Sequence, residues 1–145
     1  MPKPSRILFD TNVYIAAISG GLGSPAFRAL QESVPRTYLA AVVSAELRAG
    51  ATSRAAQRAV EQFTRRAHAV GRVVAPGVAT WQKAGDLLGR IRRSEPHLRS
   101  KLRGLWNDLL IALSAREIGA VVVTYDADDF GLLRRYVAFE LRICS

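Results

Sequence analysis

The chain has 145 residues, 49% of them hydrophobic, which suits one domain with a buried core rather than two. Its formal net charge is +9, and 18 of its 21 basic residues are arginine, the side chain adapted to bidentate contact with phosphate. No apolar run reaches the roughly 18 to 20 residues of a membrane span, MPKPSRILFD lacks the layout of a secretory signal, and the lone Cys144 leaves no internal disulfide or thiolate metal cluster.

These limits predict a cytoplasmic protein, one domain over residues 1–145, with no membrane partner. In chain order, ILF (7–9) reads as a first strand that stops at Asp10, and TNVYIAAIS as a short helix ended by Gly20 and Gly21. SPAFRALQESV opens with Ser24 as N-cap and Pro25 at the first helical position. TYLA (37–40) is a second strand, and VVSAELRAGA a helix ending near Gly50. In SRAAQRAVEQFTRRAHAV (53–70), Ala56, Val60, Phe63 and Ala67 fall on one helical stripe. RVVA (72–75) is a third strand. VATWQKAGDLLGRIRRS is a helix with Trp81, Leu88 and Ile91 as inward anchors. SEPHLRSKLRG, polar and containing Pro96, reads as a mobile loop. LWNDLLIALSAREIG (105–119) is a strongly apolar helix, AVVVTYD a strand buried on both faces, DDFGLLRRY a short helix, and VAFELRI a closing strand. Strands separated by helices throughout predict an α/β fold with a mainly parallel sheet.

The charge is unevenly placed. From Arg48 to Arg103, 13 arginine and lysine residues face three acids, Glu61, Asp86 and Glu95; the remainder of the chain holds eight basic residues and nine acids. A positive field of that kind is either a solvated helix surface or a footprint for a polyanion such as RNA or DNA. Arg48, Arg90, Arg92, Arg93, Arg99, Lys101 and Arg103 are the candidates to hold its phosphates.

The acids are few enough to weigh singly. In a parallel α/β sheet ligands bind outside the carboxyl ends of the strands, where Asp10 and Asp126 both fall. Glu46 and Asp108 lie on helices that can point back to the same edge. Asp108 is the strongest candidate: LWNDLLIALSA is apolar around almost its whole circumference, and the nearest bases, Arg103 and Arg116, are off the helical pairing rows. Local alternatives are a helix-dipole role for Asp108, a bridge from Glu46 to Arg48 or Arg54, and a turn in TYDADDF capped by Asp128. Asp126 and Asp129, three apart, share a face. Carboxylates without a nearby histidine or cysteine suit Mg²⁺ or Mn²⁺ rather than zinc, and His68 and His97 have no ligand-spaced companion. Such ions on carboxylates are the means of phosphodiester cleavage.

Taken in order over nearly the whole chain, ILFDTNVYIAA, SAELRAG, WNDLLIALSA and VVVTYDADDF resemble the PIN domain of VapC-like bacterial toxins. The resemblance implies a three-layer α/β/α domain with a central, mainly parallel sheet of four to five strands. It further implies an acidic Mg²⁺ or Mn²⁺ pocket, endoribonuclease activity on an RNA substrate, a cognate antitoxin protein and a homodimer. By motif position the site acids are Asp10, Glu46 and Asp108. The family pattern Thr-x-Asn-x-x-Asp-Phe falls on Thr124, Asp126, Asp129 and Phe130, so that either acid or both complete the pocket. Thr11, Asn12 and Thr124 match polar positions lining the site. A haloacid-dehalogenase-type phosphatase also runs an apolar strand into an acid, but it needs a second Asp where this chain has Asn12. The remaining alternative is a catalytically inactive PIN scaffold that binds RNA or protein; loss of a site acid would mark it, and all four regions keep theirs.

Overall fold

Ile7, Leu8 and Phe9 are each at most 1% exposed, so the first strand is covered on both faces and must sit between two layers of helix. The computed structural model, which describes residues 5–145, shows this arrangement. β1 (Arg6–Phe9), β2 (Thr37–Ala40), β3 (Val73–Val74), β4 (Ala120–Thr124) and β5 (Glu140–Ile143) form a five-stranded sheet in the order β3-β2-β1-β4-β5. Every adjacent pair is parallel, with Ile7 opposite both Thr37 and Val121. The central strands are apolar without alternation, as burial on both faces requires.

Parallel strands need crossover connections, and helices supply all of them. α1 (Thr11–Gly20) and α2 (Pro25–Glu32) join β1 to β2, α3 (Ala41–Gly50) and α4 (Arg54–Ala69) join β2 to β3, α5 (Val78–Ser94) and α6 (Leu102–Ile118) join β3 to β4, and α7 (Ala127–Arg134) leads to β5. The expected cap forms at Ser24, whose Oγ accepts from Phe27 N at 3.1 Å with Pro25 in the first turn, and Ser53 caps α4 in the same way, its Oγ accepting from Ala56 N at 3.1 Å. α6 ends at Gly119, whose φ of 64° is left-handed and lets its N–H reach back to the last turn.

Two sequence expectations are corrected. Residues 94–104 are not a loop: Pro96–Lys101 is a 3₁₀ helix that runs directly into α6, and Glu95 anchors it by accepting from Arg135 and from the Tyr136 hydroxyl on the far side of α7. Trp81 is not an inward anchor. It is 51% exposed and tilts against Trp106, while Ala84, Leu88 and Ile91 carry the buried face of α5. The α4 stripe is only half covered. Val60 is buried, but Phe63 and Ala67 open onto an apolar groove of about 850 Å³, which Tyr14, Ile18, Phe27 and Leu30 also line. No helix among the described residues is long and apolar enough to cross a membrane.

Candidate metal centre

The strand order fixes where a ligand can sit. From β1 the chain moves to β2 on one side, whereas β4 adds on the other, so the connections leave the carboxyl ends of β1 and β4 in opposite directions. The crevice between them is the topological switch point. Asp10 follows β1 there, and Thr124 is the last residue of β4.

Thr124 knots the edge together. Fully buried, its hydroxyl donates to Asp10 Oδ2 at 2.8 Å and accepts from Asp126 N at 3.0 Å and from Asn12 Nδ2 at 3.3 Å. Asn12 Oδ1 accepts from Tyr125 N at 3.3 Å. Asp10 Oδ1 accepts from Thr11 N at 2.7 Å, so this acid is itself the N-cap of α1. Thr11 Oγ1 donates to Glu46 Oε1 at 2.8 Å. Arg48, the alternative partner for Glu46, pairs instead with Glu61 at 3.1 Å. Thr11, Asn12 and Thr124 therefore fix the orientation of the acids around them.

Three carboxylates converge most closely. Asp108, Asp126 and Asp129 each bring an oxygen within 4.8 Å of the others. They arrive by different routes. Asp108 is carried on α6, whose residues Leu109 to Ala115 are all buried, and it is pressed toward the crevice by that packing. Asp126 caps α7: its Oδ1 accepts from Asp129 N at 3.0 Å, which places both side chains at one helix end. The cap is thus Asp126 and not the expected Asp128, which lies exposed in the first turn. Whichever of Asp126 and Asp129 the motif left open, the fold brings both into the cluster. Asp10 and Glu46 stand beside it rather than within it, with carboxylate oxygens already engaged by Thr124, Thr11 N and Thr11 Oγ1.

Burial first, then the charges of Asp10, Asp129, Asp126 and Glu46, push the Asp108 carboxyl up to about 8. The Asp10 carboxyl is also raised, by burial against the opposing hydrogen bonds from Thr124 and Thr11. A site whose acids resist ionising for want of positive charge suits a cation. Oxygens on an octahedral Mg²⁺ at about 2.1 Å lie about 3 Å apart when adjacent and about 4.2 Å when opposed, so the three side chains, with oxygens within 4.8 Å of one another, would draw together on binding one ion. The all-oxygen donor set selects a hard ion of that kind. One basic group reaches the cluster among the described residues: Lys101 Nζ lies 2.8 Å from Asp129 Oδ1, and this contact raises the lysine's pKa.

The basic candidates divide. Arg92 and Arg93 sit exposed in the last turn of α5, Arg99 on the 3₁₀ helix and Arg103 in the first turn of α6. Arg48 is paired with Glu61, Arg90 lies over the Tyr136 ring at 5.7 Å, and Lys101 is held by Asp129. The Lys101 contact and the apolar groove were not foreseen. Lys101 lies seven residues before Asp108, a same-face spacing on a continuous helix that the assumed loop concealed.

The PIN domain model matches residues 7–136 of the chain. The chain belongs to the PIN domain family. This PIN domain also aligns with solved structures. A chain of the DNA-bound VapBC of Salmonella typhimurium matches with a TM-score of 0.68 and 22% identity, over 97% of this chain and 98% of that one. VapBC2 of Rickettsia felis, bound to a promoter DNA fragment, matches at 0.63 and 23% identity, over 96% and 98%. VapBC-5 of Mycobacterium tuberculosis, from the VapBC family of toxin-antitoxin systems, matches at 0.52 and 25%, over 97% and 100%. No curated protein sequence matches the chain.

The raised carboxyl of Asp108 carries a sign. A folded-state value of about 8 against an unfolded value near 3.9 means that the folded PIN domain binds more protons between those limits. In metal-free protein its stability therefore falls as pH rises through that window, and Asp10 contributes in the same direction. Asp108→Asn is expected to flatten the fall and to stabilise metal-free protein at pH 8 by on the order of 1–3 kcal/mol, after allowance for partial exposure. Thermal unfolding in EDTA from pH 5 to 8 checks this. A lower melting temperature for Asp108→Asn at pH 8 would make the acid a structural one.

Proposed function

We propose that this PIN domain is a Mg²⁺- or Mn²⁺-dependent endoribonuclease and the toxin of a toxin–antitoxin pair. The observation that carries the reading is the convergence of Asp108, Asp126 and Asp129 at the switch point of the sheet, with Asp108 short of positive charge. Asp108, Asp126 and Asp129 would hold the ion, with Asp10 and Glu46 as the adjoining catalytic acids. Held by these residues, a divalent ion would supply Lewis-acid activation of water and charge stabilisation at the leaving oxygen.

The chain's own residues do the rest by position. Asp126 spends Oδ1 on its cap and keeps its second oxygen for the crevice. Thr124 holds Asp10 and the Asp126 backbone on one hydroxyl, so the ends of β1 and β4 cannot drift apart without breaking its bond to Asp10. Asp10 and Glu46 add negative charge beside the cluster, which deepens the potential for a cation. The exposed run Arg92, Arg93, Arg99 and Arg103 supplies the face for the RNA backbone.

Cleavage of single-stranded RNA is expected with Mg²⁺ or Mn²⁺ and not with EDTA. Asp108→Asn and Asp126→Asn should each reduce it on the order of 10³-fold. If the purified protein binds RNA but cuts it with neither metal, the binding-module reading replaces this one. Replacing Arg92 and Arg93 by alanine should weaken RNA binding and flatten its salt dependence by about 1.4 in log–log slope, for two lost contacts to a single strand. An unchanged slope takes the pair out of the footprint.

The solved relatives named as VapBC pair the toxin with a second protein, and we carry such a partner over as the antitoxin. The apolar groove between α1, α2 and α4 is the surface that lacks a cover within the chain. Co-expression with the product of the neighbouring reading frame is expected to give a stable complex that suppresses cleavage, and independent purification of the two proteins would refute the pairing. The homodimer implied by the family resemblance is read from sedimentation of the free chain.

A further inference from the structure

Lys101 stands out because its surroundings determine where its ammonium goes. It closes the 3₁₀ helix Pro96–Lys101 and is itself in helical conformation, with φ of −84° and ψ of −20°, so the chain enters α6 without a break. Asp108 lies seven residues further on. Two turns at 3.6 residues per turn return nearly to the same face, and so both side chains are aimed at the N-terminal end of α7. The far end of the 3₁₀ segment is fastened to the opposite end of α7, where Glu95 accepts from Arg135 at 2.6 Å and from Tyr136. Leu98 packs against the core in between. Lys101 is thus presented by a segment tied down on both sides, although its side chain is 52% exposed.

We propose that Lys101 is a tethered counter-ion of the acidic cluster, bonded to Asp129 in the metal-free protein and displaced from it when a divalent cation enters. The proposal rests on the reading of Asp108, Asp126 and Asp129 as the metal centre. Its physical basis is competition. Asp129 contributes one of the three converging oxygens, and its Oδ1 is already bonded to an ammonium at 2.8 Å. A dication placed among the three carboxylates meets that ammonium at short range, and two like charges on one carboxylate repel. The lysine stem is long and flexible enough to swing away, and at 52% exposure it has solvent to swing into. An ammonium released there is free to meet a phosphate backbone. The same lysine then serves the empty cluster and the loaded one in turn.

A lysine that merely ordered Asp129 for the metal would have the opposite effect on affinity, and this separates the two roles without recourse to activity. Calorimetric titration of EDTA-stripped protein with MnCl₂ is expected to show Lys101→Met binding Mn²⁺ about three- to fivefold more tightly than wild type, the scale of an exposed ion pair. Lys101→Gln, which keeps a polar side chain but removes the charge, should behave alike. In an Asp129→Asn background the Lys101→Met gain should vanish, because the lysine acts through that carboxylate. Equal or weaker Mn²⁺ binding by both lysine variants overturns the proposal while leaving the metal centre standing. Asp108→Asn is the control for the centre itself: if it leaves the Mn²⁺ titration unaltered, the cluster is not the metal site, and the counter-ion role falls with it.

Discussion

Mutual repulsion among carboxylates at one end of the sheet is the constraint to which the rest of the structure answers. Three acids with oxygens within 4.8 Å, and two more alongside, would separate on a flexible chain. Even at an effective dielectric constant of about 20, two unit charges about 4 Å apart repel by roughly 4 kcal/mol, an upper figure for groups that reach water. Packing at a distance holds them. Leu109 to Ala115 are buried without exception, so α6 can neither rotate nor slide to carry Asp108 outward without exposing several large side chains. The apolar interior generates the stability, and the strand ends use part of it.

Parallel order explains why the acids meet at this edge and not elsewhere. Every strand points the same way, so every strand delivers its last residue to one side of the sheet, but only between β1 and β4 do the connections diverge and leave a crevice. Thr124 makes that crevice rigid. Its one hydroxyl serves Asp10, Asp126 N and Asn12, tying the end of β4 to the start of both α1 and α7. A site built on strand ends and helix caps is more precisely placed than one on loops. The Asp10 hydrogen bonds make this acid part of the frame, so the local reading of a helix cap holds for it.

How much of this was legible depended on how far each signal reaches along the chain. Asp108 could be read because the residues that make its position unusual are its immediate neighbours, and the burial of α6 follows from the same stretch. The five strands, the cap at Ser24 and the stop at Gly119 were legible for the same reason. Trp81 misled because hydrophobicity marks it as inward, whereas α5 already fills its core face with Ala84, Leu88 and Ile91, leaving the indole to lie on Trp106. Asp128 looked like a cap because TYDADDF reads as a strand-to-helix turn, but the chain leaves β4 extended as far as Asp126, with φ of −93° and ψ of 90°, and helical turns begin directly after it. The segment 94–104 read as a loop because what orders it is remote: Glu95 finds Arg135 and Tyr136, and Lys101 finds Asp129. Polar and proline-bearing stretches look alike in sequence whether or not such partners exist.

The opposite signs of the two surfaces have a consequence for the proposed reaction. The exposed arginines proposed to meet RNA, Arg92, Arg93, Arg99 and Arg103, would draw a polyanion toward the domain at long range. At short range the acids that stay ionised beside the raised Asp108 carboxyl repel the same backbone. Attraction and exclusion thus act at different distances on one ligand. Only added positive charge among Asp108, Asp126 and Asp129 lets a phosphate descend from the arginine face to the strand ends. Binding of the backbone and occupancy of the cluster are therefore linked, and by reciprocity a phosphate at the crevice must favour the cation as strongly as the cation favours the phosphate. Lys101, bonded to Asp129, is the one basic group among the described residues that already offsets part of the cluster's negative charge.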